Sequence, residues 1–441
     1  MTRAVAAGFL FLIFIPFIVT FPAAPTIAGV ADTVRAESFI LMDADTGQIL
    51  LEREMHAQRK PASITKIMTT LLALEKGSPG DPVTVSAAAV SANAKDGSSA
   101  GLAPGEIIPL DEILYAVMLE SANEAANAVA EFVSGTMEDF AVSMTSRAIE
   151  LGAINTHFAN ANGLNDDGHY TSAYDMALIT REAIKNPRFL MIWGTYQHFL
   201  SPTNLQAERR IFNNKNRMLP QGSMPYPGIL GGKTGFTSAS QNTLVEAARR
   251  EDRTLICVLL QGPGALSNFQ DAVLLFDYGF NEFQSVTYEN DEYPASIPFL
   301  LHNSLSIDEI DVACAQPAEN TDGSSSVAIR FTAPRDSEDL MYPHIAAPTL
   351  TIPAPPSAEP DPSGRNADTE GEGNAEANNF GFLPGWLLFV IRTILRLFAV
   401  LFVLACFFRT RRWIRRRKRL IMKRRTEARR KAYREQQSYW S

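Results

Sequence analysis

Residues 383–408 read LPGWLLFVIRTILRLFAVLFVLACFF, twenty-six residues of which 17 are Leu, Ile, Val or Phe. A run of this length reaches across a bilayer with some tilt. Arg392 and Arg396 each cost up to about 3 kcal/mol at the bilayer centre, while each large aliphatic or Phe residue returns about 0.3–0.6 kcal/mol, so insertion balances or wins. The two arginines are i,i+4 neighbours, which also suits a helix lying flat in the interface; the spanning reading is preferred. Residues 409–434 then carry 15 Lys/Arg and one Glu, the signature of a cytoplasmic flank in contact with anionic lipid. At the other end, AVAAGFLFLIFIPFIVT (4–20) follows Thr2-Arg3 and leads into AGVA (28–31) and VRA (34–36). A basic start, an apolar stretch and small residues read as a secretory signal peptide over 1–36, cleaved after Ala31 or Ala36; the alternative is a retained N-terminal anchor. The chain between the two ends is then exported, with the C-terminal span holding it to the cell membrane.

The overall charge of −8 hides an asymmetry. Of 40 basic and 48 acidic residues, 15 basic and one acidic lie in residues 409–434, which leaves 25 against 47, or −22, for the rest. So acidic a region is a poor nucleic-acid binder. Cys257, Cys314 and Cys406 are too few and too far apart for a disulfide framework or a metal site, and the six histidines form no ligand spacing. No metal or other cofactor is expected.

From residue 37, apolar runs flank DADTG (43–47), a hairpin signal. A helix headed by Ser63, with apolar Ile64, Ile67, Met68, Leu71 and Leu72, stops near Gly77. Helical patterns follow at 110–134 and 172–185, two strands at 243–262, and a closing helix at 267–280. Strands first, helices in the middle and strands last make an α+β domain with an antiparallel sheet, bounded at 37–282. Residues 283–350 read as a small β-type module. Residues 351–381, rich in Pro, Ala, Glu and Gly, read as a disordered linker. The C-terminal transmembrane helix at 382–408 and the basic tail at 409–441 complete the layout.

PASITKIMTT (61–70) places Lys66 three residues after Ser63, on one face of a helix. A serine hydroxyl needs a base to become a nucleophile, and a lysine serves once burial and a second cation favour its neutral form. Alone, S-x-x-K also fits a helix start followed by a snorkelling lysine. Two further pieces accompany it: Ser121-Ala122-Asn123 in LESANEA, and Lys233-Thr234-Gly235 in GGKTGFTSAS. The order S-x-x-K, S-x-N, K-T-G is the signature of penicillin-binding proteins and serine β-lactamases. With DADTGQILLE, GSSAGLAPGE, NGLNDDGHYTSAYDMALI (162–179) and NKNRML (214–219), residues 37–282 resemble the low-molecular-weight, penicillin-binding-protein-5-like D-alanyl-D-alanine carboxypeptidases.

That resemblance implies a β-lactamase/transpeptidase-like domain, an antiparallel sheet with a helical subdomain. It implies a peptidoglycan stem pentapeptide as substrate and β-lactams as covalent inhibitors. Ser63 would attack the D-Ala-D-Ala bond, Lys66 would act as base, and Ser121 would relay a proton to the departing amine. Asn123 would orient the lysine or the substrate amide. Lys233 would supply positive charge and Thr234 a hydrogen bond to the terminal carboxylate, with Thr237 as a further contact. Gly235 would let an edge strand approach the substrate, and the backbone amides of Ser63 and Phe236 would form the oxyanion hole. Simpler readings stand beside these: Asn123 bracing a helix, Thr237 as an ordinary strand residue, NKNRML as a surface loop, and His169 and Asp175 as structural groups. Rival functions are a β-lactamase, a D,D-endopeptidase, and a penicillin sensor or inactive homologue. Against the first, the class A enzymes' deacylating glutamate is missing, since none occurs between Glu150 and Glu182.

Overall fold

The computed structural model describes residues 27–92, 97–289 and 296–305, together with strand segments at 311–314, 318–319, 325–332 and 349–352. The chain divides into two compact units, Met1–Ser357 and Ala358–Ser441, and the described residues all belong to the first. The linker beyond Ile352, the apolar span and the basic tail lie outside the described residues, as does the leading apolar stretch. Among the described residues no helix is long and apolar enough to cross a membrane.

A short helix, α1 (Ile27–Thr33), precedes the hairpin of β1 (Ser38–Asp43) and β2 (Ile49–Arg53). The DADTG turn closes because Asp43 Oδ1 accepts from the backbone N–H and the hydroxyl of Thr46, at 2.8 and 2.7 Å. A 3-10 turn, Ala62–Thr65, then runs into α2 (Lys66–Lys76), which ends at Gly77. Next come β3 (Pro82–Thr84), α3 (Ala87–Ser91), β4 (Ile107–Pro109) and α4 (Leu110–Tyr115). The helix expected over 110–134 is interrupted. A π-helical turn, Ala116–Glu120, leads to Ser121 in the left-handed region (φ 62°), and α5 (Asn123–Ser134) starts afresh two residues later. α6 (Met137–Glu150), α7 (Ala173–Ala183) and α8 (Pro187–Gly194) each follow a side-chain cap, from Thr136, Ser172 and Asn186 in turn. The hairpin β5 (Gln197–Leu200) and β6 (Arg210–Asn213) precedes the long strands β7 (Ile229–Thr237), β8 (Gln241–Arg250) and β9 (Arg253–Gly262), and α9 (Ala265–Asn281) closes the domain.

The central sheet is antiparallel in the order β2-β1-β9-β8-β7, which puts β7 on an edge. Both faces are covered, and the inner strands β1 and β9 carry continuous apolar runs, Phe39–Met42 and Leu255–Leu260, rather than alternating. Ile40, Met42, Val245, Val258 and Leu260 pack towards the helical side with α2, α5 and α7. Phe39, Leu41, Leu244, Leu255 and Leu259 pack towards α9. Gly279 allows α9 to sit close, since a Cβ there would meet Leu255 and Leu41 side-chain atoms at 2.6 and 2.8 Å. Beyond α9, β10 (Phe283–Glu289) pairs with β11 (Ser296–His302). β12 (Asp311–Cys314), β13 (Ala318–Glu319) and β15 (Thr349–Ile352) each pair with β14 (Ser325–Thr332). The α+β class, the first hairpin and the antiparallel pairing of 243–262 are as expected from the sequence.

Phe276 lies in the middle of α9 with no exposed surface. Phe276→Ala is expected to lower unfolding free energy by about 3–5 kcal/mol through lost burial and the cavity left behind, measured by urea denaturation.

Candidate active site

Ser63 stands on the 3-10 turn, directly after Ala62, whose φ of 51° is unusual for a residue with a Cβ. The Ser63 backbone is enclosed by two glycines. A Cβ on Gly163 (φ 90°) would meet Ala62 O at 1.9 Å and Ser63 N at 2.9 Å, and one on Gly235 would meet Ser63 N at 2.8 Å. Gly235 thus brings β7 against Ser63, and Thr243 on β8 fixes the approach by donating to Pro61 O at 2.8 Å.

One turn on, Lys66 is fully buried. Its Nζ lies 3.1 Å from Ser63 Oγ, 2.8 Å from Asn123 Oδ1 and 2.5 Å from the Asn162 carbonyl. The last two are acceptors only. A neutral amine donates its two hydrogens to them and leaves its lone pair for the Ser63 hydroxyl. The ammonium form donates to all three, so the site holds the base before and after it takes a proton. Burial pushes the Lys66 pKa well below its ordinary value, and the charges of Lys233 and Lys215 push the same way. Lys233, on β7, is 2 % exposed and donates to Ser121 Oγ at 3.1 Å and to Thr234 O at 3.0 Å. Burial first, and Lys215 second, bring its pKa down to about 7.

The break at residues 116–122 therefore has a purpose. It turns Ser121 to Lys233 while Asn123, at the start of the next helix, reaches Lys66. Asn123 Oδ1 accepts from Lys66 Nζ while the residue also opens α5. Thr234, Gly235, Phe236 and Thr237 run along the wall of a cleft of about 430 Å³ that also contains Ser63, Ser121 and Asn123. Phe236 is exposed at its mouth, and Thr237 Oγ1 donates to Asn165 Oδ1 at 2.8 Å. His169 and Asp175 are structural, as expected. Buried His169 accepts the Ala159 N–H at Nδ1, touches Thr65 through Nε2, and has its pKa pushed by burial to about 3. Asp175 accepts from Asn155 N and Thr156 Oγ1. Among the described residues no cluster of His, Cys, Asp and Glu could hold a metal ion.

The cleft also contains cations that sequence reasoning did not single out. Lys215 and Arg217, from NKNRML, both line it, which makes that segment part of the rim. Lys215 Nζ donates to Ser98 Oγ at 3.0 Å and to Glu120 O at 2.8 Å; the Arg217 guanidinium lies 6.0 Å over the Phe269 ring. The loop is tied from behind by Asn214, which donates to Trp193 O and Thr195 O, and by Asn216, which donates to the buried Glu246 carboxyl at 2.9 Å. Burial raises the Glu246 pKa well above the usual carboxylate range and so favours its neutral form.

Residues 24–264 match the family model described as D-alanyl-D-alanine carboxypeptidase, Peptidase S11. The chain is 34 % identical over 255 residues to D-alanyl-D-alanine carboxypeptidase DacF of Bacillus subtilis, covering 57 % of this chain and 63 % of that protein. It is 32 % identical to DacB2 of Mycobacterium tuberculosis over 56 % of this chain and 82 % of that one. The alignment thus spans less than two thirds of the Bacillus relative. Among solved structures, a D-alanyl-D-alanine carboxypeptidase from M. tuberculosis superposes with a TM-score of 0.51 at 29 % identity, over 56 % of this chain and 91 % of the other. The Streptomyces K15 DD-transpeptidase gives 0.52 at 28 % identity, over 56 % and 98 %.

With the roles expected from the sequence, acylation of Ser63 would need Lys66 neutral and Lys233 charged. Its rate should fall at low pH as Lys66 gains a proton, and at high pH as Lys233 loses one, giving a bell. Lys215→Met removes a positive charge that depresses both lysines, so both limbs should move to higher pH. Stopped-flow acylation by a chromogenic cephalosporin across a pH series measures this; unmoved limbs would remove Lys215 from the electrostatics of the site.

Proposed function

The chain belongs to the D-alanyl-D-alanine carboxypeptidase family, Peptidase S11, and on that footing we propose that it is a serine-type D,D-carboxypeptidase that removes the terminal D-alanine from peptidoglycan stem peptides. The observation that carries the reading is the buried Lys66 amine 3.1 Å from the Ser63 hydroxyl, with buried Lys233 hydrogen-bonded to Ser121 Oγ.

The peptide's terminal carboxylate meets the positive end of the cleft, formed by Lys233, Thr234, Thr237 and the guanidinium of Arg217. Ser63 Oγ attacks the carbonyl carbon of the penultimate D-alanine as its proton passes to Lys66 Nζ. The backbone N–H groups of Ser63 and Phe236 take the developing oxyanion. When the C–N bond breaks, the proton moves through Ser121 to the leaving amine, and D-alanine departs. Water then cleaves the Ser63 ester, which frees the shortened peptide and restores the hydroxyl. A β-lactam enters by the same route. Its adduct persists, because the amine released on ring opening stays tethered to the acyl group and shields the Ser63 ester from water. The leading apolar stretch fits export, and residues 383–408 fit a membrane anchor that holds the domain outside the cell.

Benzylpenicillin should add one acyl group to the protein, found on the peptide that contains Ser63 by mass spectrometry, and a pentapeptide ending in D-Ala-D-Ala should release D-alanine. Ser63→Ala should abolish labelling with the fold kept, and Lys66→Ala should slow acylation by about 10²–10⁴-fold. Penicillin labelling without D-alanine release would favour a sensor or inactive homologue.

A further inference from the structure

Residues 30–36 link the leading apolar stretch to β1, and they are built into the catalytic fold. Val30, Val34 and Ala36 are 3, 2 and 0 % exposed and belong to the apolar core on the α9 side of the sheet. Arg35 grips α9. Its backbone N–H donates to Asp271 Oδ2 at 2.9 Å, and its Nε and Nη2 donate to Oδ1 at 3.0 and 2.8 Å. Nη2 also donates to Ser267 O and Gln270 Oε1. The Asp271 side chain is 2 % exposed, so its carboxylate needs that guanidinium. From the other side, Arg53 on β2 lies 5.2 Å over the Phe39 ring and donates to Val34 O at 2.9 Å, to Ala36 O at 3.2 Å and to Ala31 O.

These contacts bear on where the leader ends. A cut after Ala36 would take away Arg35 and leave Asp271 buried beside no guanidinium. A cut after Ala31 would take Val30 out of the core and part the Ala31 carbonyl from the segment that Arg53 holds. Upstream of Val30, a leader peptidase that reads small side chains one and three positions before the bond finds Ala28 with Thr26. Ala23 has Phe21 in the corresponding place, and Ala24 has Pro22.

We propose that the leader is removed at the Ala28–Gly29 bond, so that the mature chain begins at Gly29 and residues 30–36 stay as a strap across α9 and β2. Water supplies a hydroxyl to the Ala28 carbonyl carbon, and the Gly29 nitrogen leaves as a free amine. The inference rests on the export reading above and is independent of the carboxypeptidase reading.

The test is the N-terminus of the full chain purified from the membranes of a bacterial host, read by mass spectrometry of its terminal peptide. Gly29 is the expected first residue. A start at Asp32 or Glu37, or an uncut leader, overturns the proposal. D-alanine release by the same sample reports separately on the activity. Ala28→Gln should block the cut or move it; an unchanged start at Gly29 counts against recognition of Ala28. Packing is tested apart from processing. Arg35→Met should lower the thermal midpoint, and Arg35→Met with Asp271→Leu should recover it, because the pair leaves no buried charge alone. A wild-type midpoint in Arg35→Met would show that the strap is not held by this ion pair and would overturn the argument.

Discussion

The site depends on a lysine held where an ammonium is costly. Lys66 sits in the core with two carbonyl-type oxygens and a hydroxyl around its nitrogen, and no carboxylate is among those three partners. The low-dielectric surroundings favour the uncharged amine, and on the proposed reading that preference lets Lys66 take the Ser63 proton. Other features serve the same end. Lys233 adds repulsion from across Ser121, Lys215 adds more from the rim, and the Asn162 carbonyl fixes the direction of the lone pair. A buried polar group is stabilised only if its partners stay in place. The surrounding helices therefore act as much to orient the base as to fill the core.

Orientation comes from four separate elements that the sheet brings together. The 3-10 turn supplies Ser63 and α2 supplies Lys66. The broken helical segment supplies Ser121 and Asn123, and the edge strand β7 supplies Lys233 to Thr237. Two residues with Cβ atoms, Ala62 and Ser121, adopt left-handed backbone angles at this meeting point. Such conformations cost energy and are held here by dense packing on both faces of the sheet.

Much of this was legible in the sequence, because it rests on short spacings. Ser63 and Lys66 are one helical turn apart, DADTG closes its hairpin with its own aspartate, and 243–262 reads as two strands joined by a charged turn. What was not legible depends on the fold. The apolar pattern of AVMLESANEAANAV continues through residues 116–122 without a Pro or Gly, so nothing local marks the break; it arises because Ser121 and Asn123 must face different lysines. Lys215 and Arg217 occupy a loop with no periodicity, and only the path from β6 to β7 carries them into the cleft. Helix α1 was hidden by its neighbours, since small and apolar residues after an apolar run look like leader whether or not they pack.

The edge position of β7 has a stereochemical consequence. An extended ligand lying beside Gly235 and Phe236 would continue the sheet, its amides pairing with a strand whose other side is already committed to β8. Main-chain pairing fixes the direction in which the visitor runs and the plane of each of its peptide units. Chirality at each α-carbon then decides which way its substituent projects, towards open solvent or into the wall around Ser63. Discrimination between mirror-image residues can thus come from the backbone of the protein, without a pocket shaped to any one side chain.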